Sequence, residues 1–233
     1  MSQVKLGNQT LGLERPLIAV PLTDVDVDYL NNLRGADIAE LRIDMFSSLL
    51  VSYVSEIFIT FKKKFPGIPV IATCRSKEEG GAAEIADEDR PELFAHIIDL
   101  TDAVDIEIES KISKEIADLA IKHGKTLIAS YHDFSKTPTT PELADVYRRG
   151  KKHLSAHIVK IAATPNNTDD IKRLAAFTLG HESVVTISMG EKGMASRIFL
   201  PFLGSLFTFA SLMTVSAPGQ LSIDELRKYY SAF

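Results

Sequence analysis

Apolar and polar positions alternate in short blocks along the chain. Eight runs rich in aliphatic and β-branched residues recur at fairly even intervals: Leu17–Leu22, Ile38–Asp44, Pro69–Ser76, Ala103–Glu109, Thr126–Phe134, Ala156–Thr164, Ser183–Gly190 and Leu206–Ser211. Each reads as a strand. The segments between them carry helical periodicity. Leu50, Val54, Ile57, Phe58 and Phe61 fall at i, i+4, i+7, i+8 and i+11; Phe94, Ile97 and Ile98 form a second stripe, and Ile112, Ile116 and Leu119 a third. Strands alternating with helices imply a parallel sheet, because a parallel connection needs a crossover. Eight such units in 233 residues predict an α/β fold of the (β/α)8 TIM-barrel type, with residues 1–233 forming a single domain. A doubly wound open sheet is the alternative. No Pro-, Gly- or Ser-rich linker divides the chain.

Side-chain parity separates the two folds. In Glu40-Leu41-Arg42-Ile43-Asp44 the charges share one face and the aliphatics the other. Asp105, Glu107 and Glu109 against Ile106 and Ile108 repeat the pattern, as does Lys160 against Val159 and Ile161. Strands covered by helices on both sides need two apolar faces. A barrel needs only its outer face to be apolar, so the charged face is expected to point inward. Unpaired buried charge is costly, and these groups should converge on one another, on water or on a ligand. An internal salt-bridge network without catalysis would leave the same pattern.

Composition narrows the class without naming a chemistry. With 45% hydrophobic residues the chain can bury a sizeable core. No apolar run approaches the roughly 20 residues that cross a bilayer, and Met1–Leu13 lacks a basic-then-apolar leader, so a cytoplasmic location is expected. A net charge of −5 without a Lys/Arg block argues against nucleic acid or an anionic membrane as partner. The one cysteine, Cys74, excludes an internal disulfide framework and gives no metal-ligand cluster. It precedes Arg75 on the opposite strand face and reads as a small buried hydrophobe.

In a barrel of this type the C-terminal strand ends face the active site. Those ends supply Glu40 and Arg42, Arg75, Asp105 and Glu107, His132, Lys160 and Met189. The loops that follow add Glu79-Gly80-Gly81, Arg197 and Ser216-Ala217-Pro218-Gly219-Gln220. Lys160 lies mid-strand in His157-Ile158-Val159-Lys160-Ile161-Ala162. Only a neutral amine attacks a carbonyl; burial and the cations Arg42 and Arg75 favour that form, whereas Asp105 and Glu107 oppose it. A lysine that merely pairs with an internal carboxylate is the plainer reading. His132 ends the preceding strand, which places a candidate proton shuttle beside a candidate imine-forming amine. Glu79 could orient it, or could be a solvated loop carboxylate. Arg42, Arg75 and Arg197 offer planar forks for an anionic substrate, although each alone is more commonly a structural ion pair. Met189-Gly190-Glu191-Lys192-Gly193 only partly suits a phosphate, since Glu191 opposes one. Ser216–Gln220 reads as a turn, with Gln220 a candidate lid contact.

Taken together these segments resemble the type I 3-dehydroquinate dehydratases, lyases of the shikimate pathway. The resemblance rests on Glu40–Asp44, Arg75-Ser76-Lys77-Glu78-Glu79-Gly80-Gly81, Ser130-Tyr131-His132-Asp133-Phe134, Val159-Lys160-Ile161-Ala162, Met189-Gly190 with Ser196-Arg197, and Ser216–Gln220, in the family's order from about residue 17 onward. It implies that Lys160 forms an imine with the C3 ketone of 3-dehydroquinate. It also implies that His132 removes a C2 proton and serves imine formation and hydrolysis, with Glu79 tuning it. Loss of the C1 hydroxyl as water, syn to that proton, gives 3-dehydroshikimate. Arg197 would bind the carboxylate; Glu40, Arg42, Arg75, Ser216 and Gln220 would bind hydroxyls or close the site, and Met189, Phe209 and Ala217 would wall it. A protonated imine is the electron sink, so no metal or organic cofactor is expected. The family is generally dimeric, which implies a homodimer. The first strand, Ile18–Leu22, matches loosely, and the chain's end soon after its last helix predicts no appended dehydrogenase domain. Two other readings compete: an imine-forming aldolase or transaldolase acting on a sugar phosphate, and a catalytically silent barrel that binds a small anion.

Overall fold

The computed structural model describes residues 4–12, 15–212 and 219–232. Eight parallel strands, β1 (Ile18–Leu22), β2 (Ile38–Arg42), β3 (Val70–Thr73), β4 (Ala103–Glu107), β5 (Thr126–Asp133), β6 (Ile158–Ala163), β7 (Val184–Ser188) and β8 (Thr208–Phe209), follow one another round a barrel, with β8 returning to pair with β1. The β7–β8 seam is held just before β8 by a parallel bridge between Val184 and Ser205 and by the Leu206 N–H donating to the Val184 carbonyl at 2.9 Å. The closed order excludes the open doubly wound sheet. Each observed strand lies inside its predicted run. Several runs overshoot at the C-terminal end, because the chain bends there into short 3-10 turns at Ile43–Met45 and Lys77–Glu79.

Helices α1 (Asp24–Tyr29), α2 (Val51–Lys64), α3 (Arg90–Ile97), α4 (Ser113–Lys122), α5 (Thr140–Arg148) and α6 (Thr168–Gly180) cover the outside. Two single turns, α7 (Gly190–Gly193) and α8 (Ser196–Phe199), follow β7, and α9 (Ile223–Tyr230) follows β8. Their starts are fixed locally. Thr23, Thr139, Asn167 and Ser222 each close a capping box with an acidic residue three positions on, which satisfies the first free N–H groups of the helix. The stripe on α2 is buried at Val54, Ile57, Phe58 and Phe61, but Leu50 is 70% exposed. It sits at the cap, before the helical turn that would have brought it onto that face.

Burial divides into two apolar bodies on either side of the sheet. Ala39, Leu41, Ala72, Val104, Ile106, Val159 and Ile161 point outward and pack with the helices. Ile38, Ile71, Ala103, Ile128, Ile158 and Val185 point inward and fill the lower barrel. A small hairpin, Lys5–Leu6 with Gln9–Thr10, adds Leu6 and Leu11 to this inner body and plugs the N-terminal end. Above these inner residues the same strand faces carry Glu40, Asp105, Glu107, Ser130 and Lys160, all buried. The inward-charged parity is therefore correct for β2, β4 and β6. It fails at Glu109: β4 ends at Glu107, and the chain then turns Glu109 outward to an ion pair with Arg149. Cys74 is buried on the outer face, and burial pushes its thiol up to about 12.

Candidate active site

The floor of the site is an ion network built by strand register. Ser130 on β5 is the partner of Glu107 on β4 and of Lys160 on β6, so three polar side chains stand at one level of the barrel. Lys160 Nζ donates to Asp105 Oδ2 at 3.0 Å and to Glu40 Oε1 at 3.3 Å, and lies 4.5 Å from the centre of the Phe209 ring. Glu40 also accepts the Thr73 hydroxyl at 3.0 Å. The plainer reading of Lys160 as a paired lysine thus describes its resting contacts. It does not account for the open space above it.

Arg75 lies between the carboxylates. It donates to Asp105 at 2.8 Å, Glu107 at 2.9 Å and the Ser130 hydroxyl at 2.7 Å. Burial alone would raise Asp105, but Arg75 and Lys160 outweigh it and hold this carboxyl well below its usual range. Glu107 is in turn bonded by Arg90 at 2.5 Å, from the first residue of α3. Arg90 is wholly buried and also donates to the Cys74 carbonyl at 2.7 Å. Paired carboxylates and cations make a dry interior tolerable.

Above the floor, the loop after β3 brings Glu79 to His132. Glu79 Oε2 accepts the His132 backbone N–H at 2.9 Å and lies 2.8 Å from ring Nδ1. Gly80 ends the 3-10 turn that carries Glu79 with φ of +88°, and a Cβ there would fall 2.5 Å from the Phe134 ring. Asp44 ties this loop to β2. It takes both forks of Arg42, at 2.9 and 2.7 Å, and accepts backbone N–H groups from Arg75 and Ala82. Burial, with Arg75 and Lys160 nearby, drives the His132 imidazole well below its ordinary value and keeps it neutral. Burial also pushes Glu79 up to about 8, against the opposing charge of Arg75.

Arg197, on α8, is electrostatically different from the other arginines. It is buried, donates to the carbonyls of Gly219 at 3.0 Å and Phe209 at 3.2 Å, and pairs with no carboxylate among the described residues. Burial lowers it to about 10. A guanidinium in this state lacks a counter-ion that an anionic ligand can supply.

Lys160, His132, Glu79, Glu40, Arg42, Arg75, Arg197, Gln220, Met189 and Phe209 all line one cavity of about 130 Å³ at the C-terminal end of the barrel. Asp105 and Glu107, also read at strand ends, do not line it and belong to the ion network; Ser216 and Ala217 lie outside the described residues. Arg42 and Arg75 reach the cavity while already engaged by internal carboxylates, whereas Arg197 reaches it uncompensated. The cavity also takes Gly80, from the loop already read at the active face, and Pro21, Phe134, Ala162 and Ile187, to which sequence reasoning gave no role. Parity could have placed Ala162 and Ile187 there, since they follow Lys160 and Val185 on the inward face.

The family model for type I 3-dehydroquinase matches residues 18–233. The chain belongs to the type I 3-dehydroquinase family. It is 41% identical to a 3-dehydroquinate dehydratase of Thermodesulfovibrio yellowstonii over 215 residues, covering 91% of this chain and 92% of that one. Among solved structures, a type I 3-dehydroquinate dehydratase from Clostridium difficile with covalently modified comenic acid superposes with a TM-score of 0.90 at 31% identity, over 99% of this chain and 97% of that one. The 3-dehydroquinate dehydratase of Aquifex aeolicus gives 0.81 at 36% identity, over 93% and 98%. The two solved structures share the eight-stranded barrel with helices outside. Among the described residues no helix is long and apolar enough to cross a membrane.

Proposed function

We propose that this member of the 3-dehydroquinase family removes water from 3-dehydroquinate through an imine on Lys160, with His132 as general acid and base. One observation carries the reading: an amine, an imidazole and a buried arginine that pairs with no carboxylate among the described residues line a single cavity, and burial favours the neutral imidazole. Each supplies something the elimination needs. The three Arg197 N–H groups not taken by Gly219 and Phe209 form a fork for the ring carboxylate, which fixes how the ring lies over Lys160. Lys160 loses a proton, adds to the C3 carbonyl and expels water, leaving a protonated imine. His132 then takes a proton from C2, and the electron pair of that C–H bond moves into the imine to give an enamine. The enamine expels the C1 hydroxyl, which leaves as water with the proton carried by His132. Hydrolysis of the conjugated imine returns Lys160 and releases 3-dehydroshikimate.

Asp105 and Glu40 hold Nζ at the cavity floor between turnovers, and the iminium inherits the same two carboxylates as counter-charges. Arg75, bonded to Asp105, Glu107 and Ser130, keeps those carboxylates in place. The covalently modified ligand of the Clostridium difficile relative supports an adduct-forming site in this fold.

A turnover assay with 3-dehydroquinate, following ultraviolet absorbance of the conjugated product, tests the assignment. The wild type should turn over, Lys160→Met should show no measurable rate, and His132→Ala should be slower by at least about a hundredfold, the usual scale for loss of a general base. A wild-type rate in either variant would overturn the assigned role.

A further inference from the structure

We propose that Tyr230, on the C-terminal helix, is a positioning residue for Arg197 and so sets how tightly the site holds the substrate's carboxylate. The inference rests on the reading that Arg197 receives that carboxylate. Because no acidic side chain among the described residues pairs with Arg197, its placement depends on carbonyl groups and on its own backbone. That backbone is poorly supported by secondary structure. Arg197 belongs to a single turn, Ser196–Phe199, which is too short to satisfy its own terminal carbonyls. One of these, the Arg197 carbonyl, accepts the Tyr230 hydroxyl at 2.6 Å from 33 residues further along the chain.

Tyr230 is itself held firmly. Its half-buried ring packs edge-on against Phe202, with ring centres 5.7 Å apart. Burial raises the phenol and keeps it a hydrogen donor. The helix that carries it is tied to the N-terminal end of the barrel through Arg227, which donates to the Gly35 carbonyl at 2.8 and 2.6 Å and to Asp37 at 2.6 Å. Asp37 is fixed in turn, accepting the Ile18 N–H at 2.8 Å and pairing with Arg15 at 2.6 Å. The C-terminal helix is thus a strut between the barrel floor and the backbone of the arginine at its mouth. Removing the hydroxyl alone leaves the ring contacts and the helix intact, while α8 loses the hydrogen bond that joins the Arg197 carbonyl to that helix.

Tyr230→Phe separates positioning from general structure. The probes are two competitive inhibitors of 3-dehydroquinate turnover: a cyclohexene polyol carboxylate, and its neutral counterpart with CH2OH in place of the carboxylate. The wild type should bind the carboxylate at least about tenfold more tightly, as a charge-assisted fork requires. Tyr230→Phe should weaken the carboxylate inhibitor and raise KM for substrate by about threefold to tenfold, the scale of one ordinary hydrogen bond. The neutral inhibitor and kcat should stay within about twofold, below that same scale. Equal weakening of both inhibitors, or unchanged carboxylate binding, would overturn the inference. A wild type without preference for the carboxylate would overturn the reading of Arg197 first, and the role of Tyr230 with it.

Discussion

A single oxygen of Glu79 contacts His132 twice, accepting its backbone N–H at 2.9 Å and meeting ring Nδ1 at 2.8 Å. The tautomer of His132 is therefore coupled to the protonation of Glu79. When Glu79 is ionised, Nδ1 carries the ring hydrogen and Nε2 is a bare base. When Glu79 is protonated, it donates to Nδ1, the ring hydrogen moves to Nε2, and the base is lost.

This coupling sets the pH dependence. His132 is pushed well below imidazole's ordinary value, so within the neutral range the pair gains or loses its proton at Glu79, which burial carries up to about 8. As pH falls through that value the base-competent form disappears, so kcat/KM should decline on the acid side with a midpoint above 6.5. In Glu79→Gln the amide does not titrate. That limb should vanish, leaving only the His132 limb far lower. A wild-type midpoint at or below 6.5 that Glu79→Gln leaves in place would contradict the coupling.

Arg90 is expected to matter for stability. It is the outermost member of the chain Arg90–Glu107–Arg75–Asp105–Lys160, and its removal leaves Glu107 with one cation where it had two. Breaking such a buried pair costs about 3–5 kcal/mol. Urea unfolding of Arg90→Met should show a loss of that size; a loss under about 1 kcal/mol would mean the network tolerates the gap.

Gly81 tests the loop that presents Glu79. A Cβ at Gly81 would lie 2.2 Å from the Arg75 carbonyl and 2.8 Å from that of Ser76, so the backbone must move. Movement of the turn displaces Glu79 from His132, and displacements near 1 Å cost about a hundredfold in rate. Gly81→Ala should lower kcat by about tenfold to a hundredfold while still forming the covalent adduct. Wild-type kcat in this variant would show that the loop absorbs the methyl without moving Glu79.

The fold and the charged strand residues of the cavity were legible because both follow from strand parity; Glu79, Arg197 and Gln220 were read from the loops after the strands, and Phe209 only through the family resemblance. Glu40, Arg42 and Lys160 alternate with aliphatics, and a closed barrel has one dry interior in which charges can meet. What escaped was non-local. Arg90 looks like an ordinary polar residue at a helix start, and nothing in its neighbours tells that it is wholly buried against Glu107. Tyr230 reads as a residue near a frayed terminus, yet it reaches Arg197 across 33 positions. The N-terminal plug is made of two-residue strands, too short to leave an alternation. Glu109 was misplaced because parity continues along a sequence after the strand itself has ended.

The central claim is that Lys160 becomes covalently bound to substrate during turnover. Borohydride reduction of the wild-type protein in the presence of 3-dehydroquinate, followed by intact mass and peptide mapping, tests it most directly. The account predicts one adduct per chain, located on Lys160 and absent from Lys160→Met. Continued turnover with no mass gain, or an adduct on another residue, would contradict it.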